Sequence, residues 1–126
     1  GVKPLGEFIS YGMVAGPDTA SLLHQPSRSI LKALERVGKK VSDVDLFEIN
    51  EAFAAVGVAS MRDLGITDEI VNVNGGAIAI GHPVGATGAI RAASVIHGLR
   101  RTGGRYGMVT MCVGAGQGAA GIIERL

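Results

Sequence analysis

The sequence has little of several residue types, and each shortage excludes a class of protein. A single cysteine, Cys112, excludes an internal disulfide and offers no cysteine cluster for a metal. Tryptophan is absent and aromatic residues make up 4%, so any core depends on aliphatic side chains. The 12 basic residues nearly balance the 11 acidic ones, and they are spread along the chain. No basic surface is therefore expected to bind nucleic acid or membrane lipid.

Long hydrophobic runs are also missing. No apolar segment reaches the roughly 18 residues of a membrane-spanning helix, and no signal-peptide pattern opens the chain. Together with the lone cysteine, this predicts a cytoplasmic protein. The chain begins at Gly1 without a methionine, so we expect a piece of something longer.

The residues that are abundant indicate a layered α/β domain. Hydrophobic residues make up 47% of the 126 positions, and 20 glycines suit close packing and tight loops. The length fits one domain with its own core. Alternating apolar runs predict the order β-α-β-α-β-α-β-β with helices packed on a mixed five-stranded sheet. Strands are predicted at 5–14, 44–49, 70–73, 108–112 and 119–123, helices at 26–37, 52–64 and 86–101, and a loop at 17–25.

The first candidate functional segment follows the second predicted strand. Asn50 lies between that strand and a predicted helix, where its side chain can cap the helix or reach into a cleft. Capping is the ordinary use of asparagine at such a position. Glu51 has a similar ordinary use as a first-turn acid, and Phe53 can be a core aromatic or the wall of an acyl pocket.

Two further segments place a reactive side chain beside residues that restrict or free the backbone. His82 lies between Gly81 and Pro83, so its ring can be aimed with little remaining freedom and can exchange protons near neutral pH. Cys112 ends a predicted strand and precedes a glycine-rich turn, whose amide groups can face an acyl oxygen. A buried, inert thiol is the alternative for Cys112. The turn fits neither standard nucleotide-phosphate loop.

Three motifs in this order resemble the C-terminal domain of thiolases. They are NEAF at 50–53, NVNGGAIAIGHPVGATGA at 72–89 and CVGAGQG at 112–118. The resemblance covers nearly the whole chain and about half of a thiolase. It implies a thiolase-like layered fold over residues 1–126, with the N-terminal domain and its nucleophilic cysteine absent from this chain.

The resemblance also implies roles for individual residues. His82 would activate the nucleophilic cysteine and help bind the thioester oxygen, and Asn50 would hold a catalytic water beside it. Cys112 matches the second cysteine of the family, the acid/base that serves the departing coenzyme A or the second acetyl group. The backbone amide of Gly114 would complete an oxyanion hole.

The reaction implied is the reversible Claisen condensation of two acetyl-CoA to acetoacetyl-CoA and CoA, or thiolysis of a 3-ketoacyl-CoA. Ala52 and Phe53 would line the pantetheine channel. CoA thioesters are then substrates, and no metal or redox cofactor is called for. The expected partners are acyl-CoA, CoA, the N-terminal thiolase domain and further copies in a homo-oligomer.

Several alternatives stay open at this point. The intact NEAF segment argues against the sterol-carrier type and Cys112 against ketoacyl synthases, while the segment 16–25 lacks a proline-rich pattern of many degradative thiolases. This favours an acetoacetyl-forming enzyme over a longer-chain degradative 3-ketoacyl-CoA thiolase. The isolated chain is expected to be inactive. A self-sufficient dyad of Cys112 and His82, and a non-catalytic complementing or acyl-CoA-binding module, are the other candidates.

Overall fold

The computed structural model describes residues 1–126, which form three layers, with one mixed sheet between two layers of helices. Strands β1 to β4 stand side by side in the order β1-β4-β3-β2. β2 and β3 are parallel, whereas β4 is antiparallel to both β1 and β3. The elements are β1 (Gly6–Ala15), α1 (Gln25–Glu35), β2 (Leu46–Ile49), α2 (Ala54–Leu64), α3 (Ala77–Ile80), α4 (Thr87–Thr102), β3 (Tyr106–Val113) and β4 (Gln117–Arg125).

The hydrophobic core is divided by the sheet into two clusters, because neighbouring residues of a strand point to opposite faces. On one face, α1 and α2 pack on the larger cluster, which includes Ile30, Leu34, Phe47, Ile49, Val56, Met108 and Ile122. On the other face, α4 packs on a smaller cluster of Leu46, Val95, Leu99, Val109 and Ile123. The order of the layers is therefore α1 and α2, then the sheet, then α4.

Helix α1 lies unusually close to the sheet. Pro26 stands in its first turn, where a missing N–H costs nothing, and its buried stripe includes Ile30, Ala33 and Leu34. A Cβ on Gly12 of β1 would overlap the carbonyl oxygen of Ser29 and lie 2.6 Å from the nitrogen of Ala33. Glycine at position 12 is therefore required for α1 to approach β1.

The prediction of a fifth strand at 70–73 is wrong, and the reason lies at Asn72. The segment makes a single bridge to β2, in which Val71 pairs with Phe47. Asn72 then adopts a left-handed φ of 50° and turns the chain away. Its side chain makes the hydrogen bonds to β2 that a strand backbone would make. Oδ1 accepts from the N–H of Ile49 at 2.8 Å, and Nδ2 donates to the carbonyl of Ile49 at 2.9 Å.

The remaining differences from the predicted elements are local. The segment 17–25, predicted as a loop, contains a 3₁₀ helix over Thr19–His24, and α2 begins at Ala54 rather than at residue 52. The apolar segment before His82 contains the one-turn helix α3. A second 3₁₀ helix covers Val41–Asp43. No helix of the chain has the length and apolar character needed to cross a membrane.

Candidate active site

Three of the predicted site residues lie at one end of the sheet. The backbone N–H of Asn50, just beyond β2, donates to the carbonyl of Thr110 on β3 at 2.9 Å. Cys112 follows Thr110 by two residues and Gly114 lies just beyond β3. Because β2 and β3 are parallel, their carboxyl ends lie at the same edge of the sheet. This places Asn50, Cys112 and Gly114 at that edge.

Asn50 is completely buried, and both polar atoms of its carboxamide lack a hydrogen-bond partner within the chain. The alternative in which Asn50 caps the next helix is wrong, because α2 begins at Ala54 and Phe53 occupies the N-cap position. A buried carboxamide without a partner is costly to the fold. The carboxamide is closed to solvent in this structure, so a water molecule can pair with it only after neighbouring side chains move.

The ring of His82 has one nitrogen fixed and the other free. Its Nδ1 lies 2.7 Å from the hydroxyl oxygen of Thr87, and that hydroxyl donates to the carbonyl of Pro83 at 2.9 Å. A threonine hydroxyl has a single hydrogen, so Nδ1 of His82 must be the donor to Thr87. The neutral ring therefore carries its proton on Nδ1. Nε2 keeps its lone pair and can accept a proton from another molecule.

The first turn of helix α4 holds Thr87, and with it the His82 ring, near the end of β3. Thr87 is buried in the first turn of α4, which packs against β2 and β3. A Cβ on Gly88 would lie 3.7 Å from Cε of Met111, the neighbour of Cys112. The first turn of α4 and the His82 ring attached to it thus lie beside the end of β3. No hydrogen bond joins His82, Asn50 and Cys112 to one another.

Cys112 is a free, half-buried thiol. Burial raises its pKa above the usual value for cysteine, and a hydrogen bond with backbone opposes this rise only in part. The thiol is therefore protonated at neutral pH. A protonated thiol can donate a proton to a leaving group, whereas a nucleophilic cysteine needs a lowered pKa.

The turn after Cys112 presents a free amide. The N–H of Gly114 donates to no acceptor within the chain, while its carbonyl accepts from Nε2 of Gln117 at 3.0 Å. Ala115 and Gly116 both have positive φ, at 64° and 71°, which makes the turn tight. Gly116 also packs on the loop after β1, where its carbonyl accepts from the N–H of Gly16 at 2.7 Å. This support fixes the turn that carries the Gly114 amide.

Ala52 and Phe53 connect β2 to α2 at the same end of the sheet. Ala52 is half-buried, whereas Phe53 is 63% exposed. The alternative in which Phe53 is a core aromatic residue is therefore wrong, because its ring lies at the surface. An exposed aromatic ring beside polar groups is suited to contact with a ligand or another domain.

Sequence reasoning missed Asn72 and Thr87 and misplaced Glu51. The Glu51 carboxylate does not sit in the first turn of α2 but reaches Asn72 and the N–H of Ile78. The signal for Thr87 was its position four residues after Pro83, where a threonine can bond back to the carbonyl. For Glu51 there was only its place inside the NEAF segment.

The sheet, its two helical layers and the residues gathered at one edge define a thiolase-like α/β domain. The chain belongs to the thiolase family, since the family "Thiolase, C-terminal domain" matches residues 2–125. It is 48% identical over 126 residues to a beta-ketothiolase of Cupriavidus necator and 46% identical over 124 residues to a 3-ketoacyl-CoA thiolase of Bacillus subtilis.

A solved structure supports the same assignment. The crystal structure of the Bacillus anthracis acetyl-CoA acetyltransferase superimposes with a TM-score of 0.93 at 42% identity, covering 99% of this chain. The chain spans 32% of the length of that enzyme and 32% of each of the two relatives above. It is therefore homologous to the C-terminal third of thiolase acyltransferases, and the expectation that it covers about half of a thiolase is wrong.

Proposed function

We propose that this chain is the C-terminal catalytic part of an acetyl-CoA C-acetyltransferase, which converts two acetyl-CoA to acetoacetyl-CoA and CoA and also runs in reverse. The single observation that carries the proposal is the 2.7 Å hydrogen bond that fixes the ring of His82. Its Nδ1 is engaged by Thr87, which leaves Nε2 as a base at the edge of the sheet. A base of this kind activates a thiol nucleophile.

The nucleophile is a cysteine of the N-terminal part. His82 Nε2 takes the proton of that thiol, and the resulting thiolate attacks the thioester carbonyl of the first acetyl-CoA. Cys112 gives its proton to the departing CoA sulfur, which leaves an acyl-enzyme. The Cys112 thiolate then removes a proton from the methyl group of a second acetyl-CoA. The carbanion attacks the carbonyl carbon of the acyl-enzyme, forming the new carbon–carbon bond and releasing the cysteine as a thiolate, which takes its proton back from His82.

The raised pKa of Cys112 supports this role. A thiol that resists ionisation is present as the acid at neutral pH, and its conjugate thiolate is a stronger base once formed. The self-sufficient dyad with His82 receives no such support. A dyad needs a nucleophile within hydrogen-bond reach of its base, and Cys112 has no hydrogen bond to His82.

Two groups without partners in the chain supply the remaining roles. Once neighbouring side chains move to admit it, a water molecule held by the Asn50 carboxamide beside His82 stabilises negative charge on a thioester oxygen. The Gly114 amide contributes to a second oxyanion hole that the N-terminal part completes. Ala52 and the exposed Phe53 line the channel for the pantetheine arm of CoA.

An uncovered sheet face is the place for the N-terminal part. Phe8, Tyr11 and Met13 of β1 are each more than 60% exposed on the face that carries α4. With Met111 and Ala119 they line an open apolar depression of about 300 Å³. Exposed apolar patches of this kind mark interaction surfaces. We infer that the isolated chain is inactive and that complete subunits form a homo-oligomer in the cytoplasm.

The test is thiolysis of acetoacetyl-CoA by the chain alone and after it is joined to the N-terminal part of a close thiolase relative. We expect activity only in the joined protein and its loss on His82→Ala. His97→Ala is the matched control, because His97 is exposed on α4 and has no partner in the site. Activity of the chain alone would overturn the proposal in favour of Cys112 as nucleophile. No activity in the joined protein would favour a non-catalytic module.

A second candidate is a longer-chain degradative 3-ketoacyl-CoA thiolase. The observation that favours it is the identity of 46% to a relative named 3-ketoacyl-CoA thiolase, close to the 48% shared with a relative named acetyl-CoA acetyltransferase. Measuring kcat/KM for acetoacetyl-CoA and for a long-chain 3-ketoacyl-CoA in the joined protein separates the two. A clear preference for the long chain would replace the acetoacetyl assignment.

A further inference from the structure

The carboxylate of Glu51 joins the end of β2 to the loop that carries His82. Its Oε1 accepts a hydrogen bond from Nδ2 of Asn72 at 3.1 Å. Its Oε2 accepts from the backbone N–H of Ile78 in α3 at 3.0 Å. Both neighbours are donors, and an ionised carboxylate is an acceptor at both oxygens. Glu51 therefore matches this position in a way that a neutral amide side chain cannot.

Gly76 packs directly against the same carboxylate. A Cβ at position 76 would overlap Oε2 of Glu51 and lie 2.6 Å from Oε1. The backbone of Gly76 has φ −83°, a value that alanine also adopts. Glycine is therefore required here by the contact with Glu51 and not by its backbone conformation. This separates the contact from the fold of the loop and makes it testable.

The other end of the loop is tied to the same strand end. Asn72 bonds through its side chain to both the N–H and the carbonyl of Ile49, the residue before Asn50. Beyond Ile78, α3 closes with a bond from the N–H of Gly81 to the carbonyl of Ala77 at 2.8 Å. His82 follows at once. Glu51, the residue after Asn50, thus ties the end of β2 to the turn before His82.

We propose that Glu51 is a positioning residue, whose carboxylate clamps the segment 72–80 to the end of β2 and sets the place from which the His82 ring acts relative to Asn50. The inference rests on the proposed function, because it presumes that His82 is the base. Glu51 hydrogen-bonds neither to His82 nor to Asn50 and acts through the loop. The tautomer of His82 is set separately, by Thr87.

The first test is Glu51→Gln in the joined subunit. The substitution keeps the size of the side chain but points an amide N–H at one of the two donors. Since small misplacements of a catalytic group cost up to about a hundredfold, we expect kcat to fall roughly tenfold to a hundredfold with KM for acetoacetyl-CoA nearly unchanged. Glu69→Gln makes the same charge change at an exposed residue and should leave kcat unaltered. A Glu51→Gln protein with the native kcat would overturn the proposal.

A double-mutant cycle separates positioning from general damage to the loop. Gly76→Ala should lower kcat as Glu51→Gln does, because the new methyl group displaces the carboxylate. In a Glu51→Ala background the same Gly76→Ala change should cause no further loss, since the carboxylate is gone. Equal losses from Gly76→Ala in both backgrounds would contradict a role through Glu51.

The third measurement does not depend on thiolase activity. In the joined protein with ¹⁵N-labelled histidine, Glu51→Gln should shift the ring signals of His82 and leave those of His97 in place, with the proton still on Nδ1. Unmoved His82 signals would overturn the positioning role. If the joined protein without any substitution lacks thiolase activity, and Glu51→Gln still shifts the His82 signals, the proposed function is refuted and the positioning role of Glu51 stands.

Discussion

Arg91 and Glu48 form an ion pair between α4 and β2, with 3.0 Å between Nη1 and Oε2 and almost no exposure of either side chain. Burial raises the pKa of Glu48, and the Arg91 guanidinium opposes that rise. Nε and Nη2 of Arg91 have no acceptor within the chain. The pair lies on the same side of β2 as Leu46 and α4. It therefore keeps a polar layer inside an otherwise apolar contact.

Arg91→Met should destabilise the domain in a pH-dependent way. Without the guanidinium, the folded-state pKa of Glu48 rises further above the ordinary value of 4.5. Below pH 4.5 Glu48 is protonated in both the folded and the unfolded state, so its burial does not lower the free energy of unfolding. As the pH rises from there through the folded-state pKa, the buried carboxyl keeps its proton longer than the unfolded one, and the free energy of unfolding falls. We expect a loss of about 3–5 kcal/mol near neutral pH and a smaller loss in acid. Urea unfolding of the joined subunit at several pH values measures this.

The matched control for the ion pair is the double variant Glu48→Leu/Arg91→Met. Replacing both charges by apolar groups of similar size is often neutral or stabilising. The double variant should therefore recover most of the stability and lose the added pH dependence. An Arg91→Met protein whose loss does not change with pH would show that Glu48 is not the group responsible.

Asn50→Leu should separate stability from activity. The carboxamide is buried without a partner in the chain, so replacing it by an apolar group of similar size removes a desolvation cost. We expect the free energy of unfolding to stay the same or to rise by about 1 kcal/mol, while thiolysis in the joined protein is lost. Denaturant melts and rates on the same samples test it. Retained activity would remove Asn50 from the proposed site.

Thr87→Val should weaken the control of the His82 tautomer. Valine keeps the shape of threonine but lacks the hydroxyl that accepts from Nδ1, so the ring proton can move to Nε2 and block the base. We expect roughly a tenfold loss of kcat and a change in the ring ¹⁵N shifts. Thr102→Val is the control, because its hydroxyl makes the equivalent bond to the carbonyl of Gly98 at the other end of α4. An unaltered tautomer in Thr87→Val would contradict the assignment.

Cys112 should react slowly with iodoacetamide at neutral pH. The thiolate is the reactive form, and burial holds the pKa of this thiol above the ordinary value. The rate should therefore rise with pH and level off later than for the same cysteine in the denatured chain. Mass spectrometry of the alkylated protein follows the reaction. A rate that has already levelled off at neutral pH would indicate an activated nucleophile.

Much of the fold could be predicted because its signals are local. The stripe from Pro26 to Leu34 and the buried run before Asn50 specify α1 and β2 through their spacing alone. The prediction of a fifth strand was wrong because the path of this segment depends on Asn72. The φ of 50° at Asn72 and its hydrogen bonds to Ile49 cannot be inferred from hydrophobic spacing. The candidate site residues were found through motif resemblance, and their catalytic roles stay predictions.

The sequence by itself determined the class of fold, the family and the short segments that carry the candidate residues, since each depends on neighbouring positions in the chain. Only the tertiary structure decided the burial of Asn50, the tautomer of His82 and the link from Glu51 to Ile78. Glu51 and Ile78 are 27 residues apart. Such pairings depend on how a loop folds back across a sheet edge, and that path is set by the packing of the whole domain.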